Sequence, residues 1–217
     1  EPLDLHILIV DVETNYPISD DIISFAMNKL WKSEVSFMSI RQNSIWELAC
    51  ELLSAFLEAD IITGWNVKFD IDRITKYFEN LAFVMKTAYE LDLDYSSLTA
   101  YIMKYVGGKQ QAEDMVDALI SYGFLREFHG YLKPTLPLFL IDDQLDPYKL
   151  AAILDMKEMT KKMIGKELKS WSLENAGREL VGIIKHLQTR YVRELDDEDL
   201  MNYNCIDVII PEEIEET

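Results

Sequence analysis

Leu5-His-Ile-Leu-Ile-Val-Asp-Val-Glu13 is the stretch on which the fold turns. Its β-branched and leucine residues form a short apolar run ending in two acids, the pattern of a buried strand. Residues two apart on a strand point to the same side, so Asp11 and Glu13 project together. Burying two carboxylates side by side is costly without a counter-charge, and a divalent cation would supply one. Read alone, D-x-E is common in any acidic protein, and the pair better fits a strand that has already ended and acids that are solvated.

Working outward, Asn15-Tyr16-Pro17 signals a turn, and Ile22–Met27 and Val35–Ile40 read as two further strands of a meander. Ser44–Ala59 reads as a helix, with Ser44 as N-cap and Glu47 at the capping-box position. Its apolar residues Ile45, Leu48, Ala49, Leu52, Leu53 and Phe56 recur on one face. Asp60–Gly64 reads as a fourth strand and Phe69–Phe83 as a helix. A strand that follows a helix is expected to pair parallel to the first strand through a crossover. Val84–Thr135 is rich in Tyr and Met and reads as a helical insertion with no evident chemistry. Leu136–Ile141 is expected to be a strand and Asp146–Met163 a helix broken near Pro147. Leu173–Leu180 and Asp196–Ile209 close the chain as helices, with Pro211 ending or kinking the last. The expectation is one α/β domain over residues 1–217: a mixed sheet, three meander strands plus parallel strands, flanked by helices and carrying the insertion at 84–135.

The 217 residues are 49% hydrophobic, enough for a sizeable core. No apolar run approaches the roughly 18 residues that suggest a membrane span, and no basic-then-apolar leader opens the chain. An intracellular protein is therefore expected, cytoplasmic, nucleoid-associated or nuclear. Cys50 and Cys205 belong to no C-x-x-C pair and read as free buried thiols. With only His6, His129 and His186, a zinc site is not expected. The net charge of −18 argues against a broad electrostatic grip on nucleic acid. Part of that acidity fits a metal cluster. The rest, as in Glu194–Asp199 and Glu212–Glu216, fits solvated surface.

Two more segments carry chemistry. Gly64-Trp-Asn-Val-Lys-Phe-Asp70 follows a strand and opens a helix. Ligands favour the carboxyl ends of parallel strands, and a carboxylate suits a helix N-terminus. Asp70 also fits a plain first-turn acid, Asn66 a turn residue, and Trp65 and Phe69 core aromatics. Tyr203-Asn-Cys-Ile-Asp207 places a phenol and a carboxylate four apart on one helix face, and Asp199 extends the same stripe as a decoy.

Taken in order, D-x-E on the first strand, N-x-x-F-D at a strand-to-helix junction and Y-x-x-x-D on a late helix resemble the DEDD exonuclease superfamily, in its tyrosine-containing branch. Ile61-Ile-Thr-Gly-Trp-Asn66 resembles the matching motif in proofreading domains of family-B DNA polymerases. Ser170-Trp-Ser-Leu-Glu-Asn-Ala-Gly-Arg-Glu-Leu180, with Lys185 beyond, resembles their tyrosine-serine-leucine helix and the glycine-lysine segment after it. The Asn66–Phe69 spacing is one residue tighter than in most family-B members. The resemblance implies a ribonuclease H-like fold and a 3′→5′ exonuclease acting on the 3′ end of single-stranded DNA. It implies two divalent ions, Mg²⁺ or Mn²⁺, held by Asp11, Glu13, Asp70 and Asp207, with Tyr203 orienting the attacking water. Thr14, Trp65, Asn66 and Phe69 are the expected substrate contacts. A polymerase region is implied elsewhere, in the same chain or a partner, because these 217 residues contain none. Asp142, Asp143 and Asp146 are left out of the expected site. Two other readings stand beside this one: a self-standing nuclease trimming RNA or DNA ends, and a non-catalytic interaction module.

Overall fold

The computed structural model describes residues 4–143, 145–164, 168–184 and 191–215. The first half of the chain runs β1 (Ile7–Thr14), β2 (Ile22–Lys29), β3 (Glu34–Ser39), α1 (Ile45–Glu58), β4 (Ile61–Gly64) and α2 (Val67–Glu90). There follow α3 (Tyr95–Ile102), α4 (Lys109–Ser121), β5 (Leu125–Phe128), β6 (Tyr131–Pro134), α5 (Leu138–Asp142) and α6 (Pro147–Leu150). The last elements are β7 (Ala152–Asp155), α7 (Met156–Ile164), α8 (Leu173–Ala176) and α9 (Asp197–Glu215). The chain divides into two compact units, one of residues 1–42, 58–73 and 151–217, the other of 43–57 and 74–150.

The first unit holds a five-stranded mixed sheet in the order β3-β2-β1-β4-β7. β1, β2 and β3 form the antiparallel meander, and β4 joins β1 in parallel, as the strand-helix-strand reading requires. Gly64 ends β4 where the backbones crowd: a Cβ there would stand 2.5 Å from the Val10 carbonyl oxygen. β2 is buried along its whole length, Ser24 and Asn28 included. Helix α9 packs over β1 and β2, with Val208 and Cys205 against Ile9 and Ala26. Its Ile210 and Ile214 close on a second cluster with Trp65, Met156, Leu168 and Ala176. The chain is thus α/β, with helices packed on a mixed sheet.

The second unit is mainly helical. The capping box at the start of α1 forms in full: the Ser44 amide donates to Glu47 Oε2 at 2.7 Å, and the Glu47 amide to Ser44 Oγ at 3.2 Å. Phe56 and Phe78 meet edge to face in its core, 5.4 Å between ring centres. The expected insertion at 84–135 lies within this unit but is not all helix, because β5 and β6 pair as a hairpin. The hairpin turns on His129 (φ 53°) and Gly130 (φ 84°), both left-handed, as tight two-residue hairpin turns require.

Three other expectations are corrected. Leu136–Ile141 is no strand: Pro137 leads into α5, and of its residues only Ile141 is buried. A short apolar run alone does not separate strand from helix. The Asp146–Met163 segment is not one helix but α6, β7 and α7. Ala152–Asp155 leaves helix because β4 offers it a parallel ladder partner, and that pairing outweighs local propensity. Finally, α9 does not end at Pro211 but continues to Glu215. Pro211 has no N–H for the Asp207 carbonyl, a defect costing about 3 kcal/mol. Burial of Ile210 and Ile214 on either side, at about 1.5–3 kcal/mol each, offsets it. Cys205 is half-buried, whereas Cys50 is fully buried and its thiol is pushed up, first by burial and then by Glu47. Among the described residues no helix is long and apolar enough to cross a membrane.

Candidate metal centre

The first unit assembles the acids from three separate stretches. In the β1–β2 register Ile9 lies opposite Asn28, Asp11 opposite Ala26 and Glu13 opposite Ser24. Opposed residues share a face of the sheet. Asp11 and Glu13 therefore lie on the face that carries Ile9 and Ala26, the face covered by α9. Helix α9 brings Asp207 to the same place, 5% exposed. One carboxylate oxygen from each of Asp11, Glu13 and Asp207 falls within 4.8 Å of the other two. Asp11 Oδ2 and Asp207 Oδ1 are shut off from solvent.

Asp70 reaches the neighbourhood from the first turn of α2. Asn66 turns the chain into that helix with φ 68°, a left-handed conformation that Asn tolerates, and its carbonyl accepts the Phe69 amide at 3.0 Å. Asp70 is 4% exposed. Burial raises its pKa well above the usual carboxylate range, and the negative charge of Glu13 and then of Asp207 adds to the rise. A hydrogen bond to the Val12 backbone and the Arg73 guanidinium pull the other way. Asp70 thus feels both Glu13 and Asp207, although it stands outside the tight group of three.

Tyr203 lies one turn before Asp207 on α9 and is half-buried. Thr14 is buried just past the register shift that ends β1. Trp65 belongs to the core: it is 9% exposed, and its indole N–H donates to the Trp171 carbonyl at 3.1 Å. Asn66 is exposed, and Phe69 is 45% exposed. The Arg73 guanidinium lies 3.1 Å from the Phe69 ring centre, donates to the Phe69 carbonyl at 3.1 Å and reaches Asp20 at 3.4 Å. One face of that ring is therefore covered by a cation.

The sequence segments around Trp65 and Ser170–Leu180 meet in space through the hydrogen bond of Trp65 to the Trp171 carbonyl, and Gly177 of the second segment lies against α9. A Cβ on Gly177 would come within 2.9 Å of the Ile210 side chain. Lys185 lies outside the described residues. Asp199 is not in the acidic group; it sits in the first turn of α9, its amide received by Asp196 Oδ1 at 2.8 Å. In the second unit, Asp142 pairs with Lys86, Asp143 pairs with Lys149, and Asp146 receives the Tyr148 amide.

Sequence reading passed over Ser24, Asn28, Asn204 and Arg73. Ser24 and Asn28 are polar residues two positions either side of Ala26 in a strand whose only other polar residue is its terminal Lys29. That alternation was the available signal.

The donors are all carboxylate oxygens, converging from a strand and a helix and partly desolvated. Such a set suits a hard divalent cation of the Mg²⁺ or Mn²⁺ kind and not a soft metal. Comparison with protein-family models and with curated proteins finds no match to this chain.

Proposed function

We propose that this chain is a metal-dependent 3′→5′ exonuclease domain with a ribonuclease H-like fold, acting on single-stranded DNA ends and working with a polymerase region in the same chain or a partner. The observation that carries the reading is the convergence of Asp11, Glu13 and Asp207 within 4.8 Å. Three carboxylates so close repel one another, and packing provides no reason to gather them. The mixed sheet order, with an antiparallel meander followed by parallel strands, supports the fold assignment.

In this reading Asp11, Glu13 and Asp207 hold two divalent ions, with Asp70 as the fourth acid. When bound, such ions stabilise the charge of the phosphoryl transition state and lower the pKa of a water. Tyr203 positions that water by hydrogen bonding; a phenol with a pKa near 10 is a poor base at neutral pH. Phe69 offers its open face to the terminal base, a contact that tolerates any base. Asn66 and Thr14 line the approach to the terminal nucleotide. Trp65 acts from behind, anchoring the turn that carries Asn66 and Phe69.

The test is hydrolysis of a 5′-labelled single-stranded DNA by the purified chain with Mn²⁺ or Mg²⁺, beside an RNA of the same sequence. Stepwise mononucleotide release from the DNA 3′ end, abolished by EDTA and by Asp11→Ala, is expected. Preference for the RNA would replace the DNA substrate. No release from either strand by the folded wild type would falsify the nuclease assignment.

A further inference from the structure

Helix α9 and strand β2 are matched in register by three successive contacts. Ser24 Oγ donates to Asn204 Oδ1 at 3.0 Å, Ala26 packs on Val208, and Asn28 Nδ2 donates to Glu212 Oε2 at 2.7 Å. The strand advances by two residues at each step and the helix by four. Two strand residues span about 6.8 Å and four helical residues about 6.0 Å, so the repeats nearly coincide.

We propose that the Ser24–Asn204 and Asn28–Glu212 pairs are a register lock, positioning residues that set where Asp207 stands relative to Asp11 and Glu13. The inference rests on the metal-centre reading for its consequence and on the strand-helix geometry for its mechanism.

The apolar contacts under α9 do not specify a register by themselves. Val208, Cys205, Ile9 and Ala26 are all small or aliphatic, and such surfaces tolerate sliding. A slip of one residue turns Asp207 by about 100° around the helix axis and shifts it by about 1.5 Å. That would carry its carboxylate out of the group. It would also leave a buried Ser24 or Asn28 without its partner, and burying an unsatisfied polar group is what enforces the register. The lock is adjacent to the acids on both elements: Ser24 lies opposite Glu13, and Asn204 precedes Asp207 by three residues on α9. Asn204 is fully buried, and its Nδ2 has no hydrogen-bond partner among the described residues. An apolar residue there would leave no such orphan, so the pair is poorly explained by stability and well explained by placement.

The experiment compares wild type with Ser24→Ala, Ser24→Thr, Asn204→Ala, Asn28→Ala and Val208→Ala. Three readouts are taken: Mn²⁺ affinity by calorimetry, thermal midpoint, and the labelling rate of Cys205, which lies on α9 beside Asn204. Ser24→Ala and Asn28→Ala are expected to weaken Mn²⁺ binding about tenfold or more and to speed Cys205 labelling several-fold. Ser24→Thr, which keeps the hydroxyl, should restore both. Val208→Ala should lower the thermal midpoint at least as much while holding Mn²⁺ affinity within about twofold. If Val208→Ala loses as much affinity as Ser24→Ala and Asn204→Ala for an equal fall in thermal midpoint, the lock is refuted. Unchanged affinity and labelling in the folded Ser24→Ala protein refute it as well. A wild type that binds no Mn²⁺ overturns the metal centre, and with it the lock's role in placing ligands; the labelling rates then decide whether the pairs hold the register of α9 at all.

Discussion

Glu13 at the end of β1 and Asp207 on α9 bring carboxylate oxygens within 4.8 Å of each other, with Asp11 completing the group. Like charges at that separation are a cost to the metal-free fold. Asp207→Asn should therefore leave the thermal midpoint in EDTA unchanged or higher. It should also abolish most of the stabilisation that Mn²⁺ confers on the wild type, and reduce exonuclease turnover by about three orders of magnitude, the scale on which removal of one electrostatic group acts in such sites. Thermal melts with and without Mn²⁺, beside single-turnover kinetics, check all three.

Asp70 makes the metal-free protein sensitive to pH in a defined direction. Its pKa is raised in the folded state by burial and by Glu13. An unfolded Asp ionises near pH 4. Between that pH and the raised folded value, the folded state binds more protons than the unfolded one, so stability falls as pH rises. Below pH 4 both states are neutral at this position and the cost is absent. Asp70→Asn should flatten that decline in EDTA, measured by urea denaturation at intervals from pH 4 upward. An equal decline in the variant would assign the effect to other groups.

Gly64 is required by the approach of β4 to β1. An added Cβ would meet the Val10 carbonyl oxygen at 2.5 Å, and backbone must move to admit it. Gly64→Ala should destabilise the chain by about 1–3 kcal/mol, the usual range for overpacking. It should also disturb the turn that leads to Asp70. Denaturant midpoints and Mn²⁺ affinity would both fall; loss of neither contradicts the close approach.

Phe69 is exposed, with Arg73 over one face. Base stacking on an aromatic ring is worth about 1–3 kcal/mol. Phe69→Ala should raise KM for a single-stranded 3′ end about tenfold or more, with a smaller change in kcat and little change in stability. A variant whose kcat alone falls would point to chemistry and not to binding of the strand.

Much of this was legible locally. The capping box of Ser44 and Glu47 is a contest among neighbours three residues apart, and it forms as its residue types dictate. The meander was readable because β1 and β2 are largely β-branched or apolar runs with the turn signal Asn15-Tyr16-Pro17 between them. The facing of Asp11 and Glu13 follows from strand periodicity alone. The hairpin at His129-Gly130 is not legible locally because His-Gly is a weaker turn signal than Asn-Gly, although both residues adopt the required left-handed conformation.

The residue types and spacings by themselves thus determined that Asp11 and Glu13 share a face, where β1, β2, α1 and β4 fall, and that the chain is α/β. Only the tertiary structure decided that Asp207 joins Asp11 and Glu13 while Asp199, about two turns earlier on the same stripe of α9, does not. It also decided that Ala152–Asp155 is a strand, that α9 runs through Pro211, and that Trp65 lies in the core. The reason is common to all four. Local propensity differences are a few tenths to about 3 kcal/mol, and burial against a partner distant in sequence supplies energies of the same size or larger. Where the two disagree, the distant partner wins, and no window of neighbouring residues contains it.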